Sequence, residues 1–346
     1  MTDTLRTADT ASSAQKPSVL VTGGAGYIGS HAVLALLDAG WPVAVVDNLV
    51  TGFRFAVPDG VTLYEGDIED GELMARIFAE QETKAIMHFA GSVVVPESVS
   101  DPLKYYHNNT AKSRSLVDAA VKAGVPHFIF SSTAATYGVP DVEAVTESTP
   151  QLPINPYGWS KLMTEQMLGD VAAAHPMNFG ALRYFNVAGA DPQARSGQST
   201  AGATHLIKVA IEAALGKREA VSVFGTDFDT HDGTGVRDYI HVSDLAAAHV
   251  LTLEALMEQP TRSLTMNAGY GRGFSVLEVL DAVDRVTNAP IKRQLEGRRA
   301  GDPGSLISDP SLIRSTVPWQ PQYEALDLII DHALAWERKL TDLRQE

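Results

Sequence analysis

From Pro17 onward the chain alternates short apolar runs with stretches of helical periodicity, and few architectures accept that alternation. The runs PSVLVTG, PVAVVDN, VTLYEGDI and KAIMHFAG are interleaved with the helical patterns YIGSHAVLALLDAG and GELMARIFAEQ. A long pattern from Asp101 to Gly124, the run PHFIFSS, a helix opening at Asn155 and the run FGALRYFN extend the series to Asn186. Strands alternating with helices predict an α/β fold with a doubly wound parallel sheet, whose ligands lie beyond the carboxyl ends of the strands. After Gly189 the character changes. ADPQARSGQSTAGAT is a polar loop of small residues, a helix follows from His205 to Gly216, and turns such as GTDFDTHDGTG and EGRRAGDPGS interrupt the remainder. The expected division is a sheet domain over 17–189, with parts of 236–262 packing back onto it, and a smaller C-terminal substrate-binding α/β lobe over most of 190–346.

With 346 residues, 45% of them hydrophobic and 20% charged, the chain can bury a sizeable core as a soluble globular protein. Its formal charge of −15 repels nucleic acid and anionic membranes, so an anionic ligand needs a local positive site. Zero cysteines exclude disulfides, thiolate metal sites and cysteine nucleophiles, and fit a reducing compartment. The first sixteen residues, MTDTLRTADTASSAQK, contain no apolar run, which predicts a disordered tail rather than a secretory leader or a membrane span. The expectation is a cytoplasmic protein with no nucleic-acid or membrane partner. Histidines such as His88 and His241 lack metal-ligand spacing, so no metal site is expected.

VLVTGGAGYIGSH sets Gly23, Gly26 and Gly29 between a predicted strand and a predicted helix. The turn needs Gly23, close approach of a pyrophosphate needs Gly26, and close helix packing needs Gly29. The phosphates would rest on the helix N-terminus, where free N–H groups favour negative charge. Asp47 ends the second strand, eighteen residues beyond Gly29, where a carboxylate accepts hydrogen bonds from both ribose hydroxyls and repels the extra phosphate of NADP. The expected cofactor is therefore NAD, in a Rossmann-type sheet.

NPYGWSK poses the question of chemistry. Asn155 suits an N-cap and Pro156 a first helical turn, so Tyr157 and Lys161 share one helix face. SSTAATYG follows the fifth predicted strand and puts Ser131, Ser132 and Thr133 at the carboxyl edge of the sheet. A tyrosine ionises near 10 in water, and a neighbouring ammonium with a positive nicotinamide would favour its phenolate nearer neutrality. Tyr157 then takes a proton from a substrate alcohol, Thr133 orients that alcohol, and Lys161 also holds the nicotinamide ribose.

Taken together, VTGGAGYIGSH, VVDNL, EGDI, HFAG, PLKYYHNN, FIFSSTAATYG, PYGWSK, LRYFNVAGA, DGTGVRDYIHVSDLA and RRAGD resemble the extended short-chain dehydrogenase/reductase family, and within it the UDP-galactose/UDP-glucose 4-epimerases. The resemblance runs from about Pro17 to near Trp336. It implies Tyr27 and Ile28 at the pyrophosphate, Asp47 and Asn48 at the adenosine ribose, and Asp67 and Ile68 near the adenine. Phe89, Ala90, Gly91, Asn108 and Phe185 would line the cofactor. For the nucleotide sugar it implies Asn186, Phe224, Arg237, Arg299 and Asp302, the two arginines facing the diphosphate. It also implies a homodimer through the helices of 101–124 and 155–169.

The implied reaction is inversion at C4 of a UDP-hexose through a 4-keto sugar that turns over in the pocket. Three positions depart from the usual pattern: Thr133 replaces serine, Val93 a lysine near the cofactor, and His205 with Leu206 an asparagine-containing pair on the uracil side. Leu306, four positions after Asp302, bears on room for an N-acetyl group, which leaves UDP-GlcNAc/UDP-GalNAc and UDP-pentoses open as substrates beside UDP-galactose/UDP-glucose. A 4,6-dehydratase would need an acid–base pair directly after Thr133, where Ala134 and Ala135 stand. A UDP-glucuronate decarboxylase has no specific feature in its favour. A non-catalytic NAD-binding module is the rival of another class.

Overall fold

The computed structural model describes residues 16–299 and 302–343. The expected tail lies outside the described residues except for Lys16, which is held in place: its ammonium pairs with Glu254 at 3.1 Å and sits over the Trp41 ring.

The apolar runs become β1 Val19–Thr22, β2 Val43–Asp47, β3 Thr62–Glu65, β4 Ala85–His88, β5 His127–Ser131 and β6 Asn178–Tyr184. The second half supplies β7 Asn186–Ala188, β8 Val221–Phe224, β9 Val236–His241, β10 Leu264–Ala268, β11 Gly273–Ser275, β12 Arg293–Glu296 and β13 Ser305–Leu306. Seven strands form one parallel sheet in the order β10-β6-β5-β4-β1-β2-β3. The winding reverses between β1 and β4, and a crevice opens there at the carboxyl ends of the strands.

Both faces of the sheet are covered, and the period of two in each strand decides which side chain enters which core. Val19, Val21, Val45, Met87 and Ile129 face one core, while Leu20, Val46, Ile86, Phe128 and Phe130 face the other. Each such fully buried side chain stabilises the fold by roughly 1.5–3 kcal/mol. Helices Gly71–Glu80, Lys112–Ala123 and Pro156–Ala174 contribute to the second core. Helix Val242–Glu258 lies against helix Tyr27–Asp38 on the first face, and the strand that follows it, β10, extends the sheet beyond β6.

In the remaining lobe β9 is the spine: its first half pairs with β11 and β13, its second half with β7, while β8 pairs with β12. The first core continues from the sheet into this lobe through Ile207, Val221, Val279 and Ile329. Helix ends follow local chemistry. Asp70 caps the N–H groups of Glu72 and Leu73, Ser275 and Glu278 form a capping box, and Gly124 ends its helix in the left-handed conformation. The Asp101–Gly124 pattern is interrupted by a π-helical stretch over Tyr106–Ala111, a feature common at functional sites.

Candidate active site

The chain leaves β1 and turns at Gly23 with φ of +70°. A Cβ on Gly23 would come within 2.6 Å of the Ala90 nitrogen, and one on Gly29 within 2.1 Å of the Gly23 carbonyl oxygen, so this turn closes only on glycine. Helix Tyr27–Asp38 begins at Gly26 with no side chain capping it, which leaves its first N–H groups to face an anion. The Tyr27 hydroxyl donates to the Gly189 carbonyl at 2.7 Å, so Tyr27, like the half-buried Ile28, can meet a phosphate only through its backbone.

At the end of β2 the Asp47 carboxylate accepts the N–H groups of Ala25 at 3.0 Å and Leu49 at 2.8 Å. Burial holds its pKa above the usual carboxylate value, and those two donors offset part of the rise. A carboxylate offers about four lone-pair directions, so ribose hydroxyls still find acceptors there. Asn48 donates to Asp67 at 3.3 Å, and the Lys112 ammonium reaches Asp67 at 2.5 Å, with Ile68 buried beside them.

Past β4, Phe89 packs on His249 with ring centroids 4.9 Å apart, and Ala90 closes on Gly23. A Cβ on Gly91 would lie 2.8 Å from Asn109 Oδ1 and 3.8 Å from Lys161 Nζ, so this loop joins the glycine turn to the reaction centre. Asn108 donates to the Ser92 hydroxyl at 3.0 Å, and Val93 stands exposed. These residues make a cradle that fits a dinucleotide: an uncapped helix end for the pyrophosphate, a carboxylate for a ribose, and glycines wherever a side chain would fill the path.

The helix that carries Tyr157 and Lys161 opens on Asn155, whose Oδ1 accepts the Gly158 N–H at 2.9 Å, with Pro156 in the first turn. Gly158 lets it approach the Thr133 turn, because a Cβ there would lie 2.6 Å from the Ala135 carbonyl oxygen. Thr133 caps the short turn Ala134–Tyr137 and is the hydrogen-bond partner of the buried Tyr157 phenol, while Tyr105 meets Tyr157 edge-on. Lys161, 3% exposed, donates to the Ser131 carbonyl at 3.0 Å and lies over the Phe130 ring.

Burial raises the phenol of Tyr157 above its ordinary value, and the Thr133 hydrogen bond opposes that rise. Burial also pushes Lys161 down to about 8, with the Glu165 carboxylate opposing the fall. The phenol is enclosed, so desolvation dominates, while the Lys161 ammonium is engaged with the Ser131 carbonyl.

Across the crevice, Arg237 on β9 is buried enough to lower its pKa; Asp302 supports its charge and Arg299 opposes it. Its Nη1 donates to the Val236 carbonyl at 2.8 Å, and it makes no salt bridge among the described residues. Arg299 lies 4.5 Å from the Phe224 ring centroid and pairs with Asp302 at 3.0 Å. Arg237, Arg299, Phe224 and Asp302 thus form one wall with positive charge in excess. Leu306 pairs in register with Arg237 and is buried against Ala134 and Phe185, which ties this wall to the Thr133 turn. Asn186 hydrogen-bonds to Tyr239 and lines a cavity with His205, Leu206 and Trp336, where His205 Nδ1 lies 2.6 Å from Gln198 Nε2.

Residues 19–269 match the model of the NAD dependent epimerase/dehydratase family. The chain belongs to this family. A UDP-glucose 4-epimerase from Azospirillum brasilense is 54% identical over 327 residues, which cover 94% of each chain. The UDP-glucose 4-epimerase of Brucella ovis, crystallised in complex with NAD, superposes with a TM-score of 0.89 at 43% identity, over 92% of this chain and 98% of that one. The UDP-Glc/GlcNAc 4-epimerase of Campylobacter jejuni superposes with a TM-score of 0.82 at 46% identity, over 93% and 99%.

For a member of the NAD dependent epimerase/dehydratase family, several residues of the site were not legible beforehand. Gly158 is decided by a backbone contact between distant segments. Asn109 accepts the Ser92 N–H at 2.7 Å and donates to the Ser160 hydroxyl at 3.0 Å; its one early signal is the Asn-Asn doublet at 108–109. Among the described residues no group of three or more His, Asp or Glu is arranged to hold a metal ion.

Proposed function

We propose that this chain interconverts UDP-galactose and UDP-glucose by inverting C4 of the sugar, with NAD held in the glycine cradle through each turnover. One observation carries the reading: Thr133 is hydrogen-bonded to Tyr157, Lys161 one turn further on lies near Gly91, and Leu306 links the Thr133 turn to a wall bearing Arg237, which makes no salt bridge among the described residues. An alcohol-handling centre therefore faces a diphosphate clamp, as a UDP-sugar requires.

Gly23, Gly26, Gly29, Tyr27 and Ile28 would hold the NAD pyrophosphate; Asp47 and Asn48 the adenosine ribose; Asp67 and Ile68 the adenine side; and Phe89, Ala90, Gly91, Asn108, Lys161 and Phe185 the nicotinamide half. When bound, NAD supplies the reversible oxidation of C4. Tyr157 takes the O4 proton and returns it, with Thr133 orienting the hydroxyl. A phenol kept protonated by burial needs the approach of positive charge to act as a base, so proton transfer is coupled to an assembled site. Arg237 and Arg299 hold the diphosphate through charge-assisted bonds while Asp302 accepts from the uridine ribose. Asn186, His205, Leu206 and Phe224 complete the nucleotide side. Firm contacts on UDP and few on the hexose leave the 4-keto sugar free to turn over.

Ala134 and Ala135 supply no acid–base pair for elimination, which argues against the dehydratase branch of the same family. The N-acetylated substrate pair stays a second reading because Leu306 is of intermediate size and the similar Campylobacter jejuni protein is named for both sugars. Leu103 is 77% exposed and Trp159 39% exposed on the helices of 101–124 and 155–169, and they support a homodimer through those helices. A cytoplasmic location fits a chain without cysteine.

The test is to incubate purified protein, without added NAD, with UDP-galactose and separately with UDP-N-acetylgalactosamine, and to resolve the 4-epimers by chromatography. Conversion of UDP-galactose is the expected result. Conversion of both would show that Leu306 leaves the pocket open, and conversion of neither after NAD is supplied would overturn the reading.

A further inference from the structure

We propose that the buried Glu165–Arg183 ion pair is a positioning pair: it holds the turn that carries Thr133 in register with the helix that carries Tyr157 and Lys161. Glu165 lies one helical turn beyond Lys161, on the same face. Arg183, on β6, donates to it through Nε at 3.0 Å and Nη2 at 2.5 Å, with both side chains almost wholly enclosed.

Two ties run from this pair to the Thr133 turn, one on each side of it. The Ser132 hydroxyl donates to Glu165 Oε1, and the Tyr137 hydroxyl accepts Arg183 Nη1 at 3.1 Å. Tyr137 in turn donates to Asn267 at 2.7 Å, and the Asn267 amide donates to the Val145 carbonyl at 2.9 Å. Val145 bridges to Ser308, two residues beyond Leu306. One ion pair thus joins the helix of the proton-transfer group, the turn of the orienting hydroxyl and the strand beside the sugar end of the pocket.

A buried ion pair is no reliable source of stability, since desolvation of both charges offsets their attraction. Its distinctive contribution is direction: a bidentate guanidinium–carboxylate pair accepts one relative orientation. Position matters here because a small misplacement between an orienting hydroxyl and a proton acceptor costs rate, not binding. The pair also bears on Lys161. The titratable groups that act on that ammonium are Glu165 on its own helix and His88 at the end of β4, and burial lowers the pKa of His88, as does Lys161 itself. Glu165 is the one carboxylate among them.

The test uses full-length protein with its retained NAD, and its activity arm rests on the epimerase reading. Glu165→Gln is expected to lower kcat for UDP-galactose at least tenfold with KM changed less than threefold, and Glu165→Asp to recover part of that loss. Ser132→Ala and Tyr137→Phe, which each cut one tie and leave both charges, are expected to lower kcat three- to tenfold with bound NAD and melting temperature near wild type. In lysine-labelled protein, the carbon NMR titration of Lys161, assigned by its loss in Lys161→Met, should move to lower pH in Glu165→Gln and stay in place in the two tie variants. Wild-type kcat in both tie variants would overturn the proposal, as would an unmoved Lys161 titration in Glu165→Gln. If Glu165→Gln does not fold, the tie variants decide. If wild type turns over no UDP-hexose, the epimerase reading fails by itself and the NMR titration still decides the pair.

Discussion

Tyr157 and Arg237 divide the work of the site, and kinetics can separate them. Tyr157→Phe keeps the ring and removes the proton carrier, so kcat is expected to fall about 10²–10⁴-fold with little change in KM. Arg237→Ala removes a guanidinium that makes no salt bridge among the described residues, so its main effect should be a raised KM for the UDP-sugar; the opposite split between the two variants would reverse these roles. Lys161 adds a pH-dependent prediction. Its folded-state pKa, about 8, lies below the unfolded value of 10.5, so the unfolded chain binds more protons across that interval and stability rises with pH through it. The burial penalty, ~3 kcal/mol on the order-of-magnitude scale of one pKa unit per 1.4 kcal/mol, is fully present below pH 8. Lys161→Met should therefore raise the melting temperature at pH 7 while it lowers turnover, and the gain should shrink as the pH climbs toward 10.5.

At the scale of elements, two glycines hold segments at backbone contact. Gly158→Ala would drive a Cβ into the Ala135 carbonyl, so helix Pro156–Ala174 must retreat from the Thr133 turn, and kcat should fall while NAD is retained. Gly29→Ala meets the Gly23 carbonyl at 2.1 Å and should instead cost bound NAD, read from absorbance of the released nucleotide. Asn155→Ala should cost about 1 kcal/mol of stability through the lost cap. The elements themselves were legible early. Short apolar runs closed by glycine or polar turns read as strands; β1 to β5 lie within them, and β6 begins one residue ahead of its run, at Asn178. Elements of the second lobe were harder to read, because β7, β11 and β13 are two or three residues long and are defined by their pairing with β9, not by their own periodicity.

For the whole molecule, an acidic chain that handles a diphosphate needs local positive charge, and Arg237, without a salt bridge among the described residues, lies close enough to the Asp302-paired Arg299 for their charges to interact. The exposed apolar side chains of Leu103, Trp159 and Met163 give the assembly prediction: Trp159→Glu should turn the proposed dimer into a monomer by sedimentation, and wild type sedimenting as a monomer would remove that proposal. The glycine spacing, the acid at the end of β2 and the Tyr-Lys pair one turn apart were written in the sequence, because each depends on local geometry: a strand-to-helix turn, a strand end, one face of a helix. The tertiary structure alone decided how Arg183 reaches Glu165, how Tyr137 reaches Asn267, that Leu306 packs against Ala134 and Phe185, and that burial raises the Tyr157 phenol against the Thr133 hydrogen bond. Those are matters of which distant segments meet and how much water remains between them, and no local pattern encodes either.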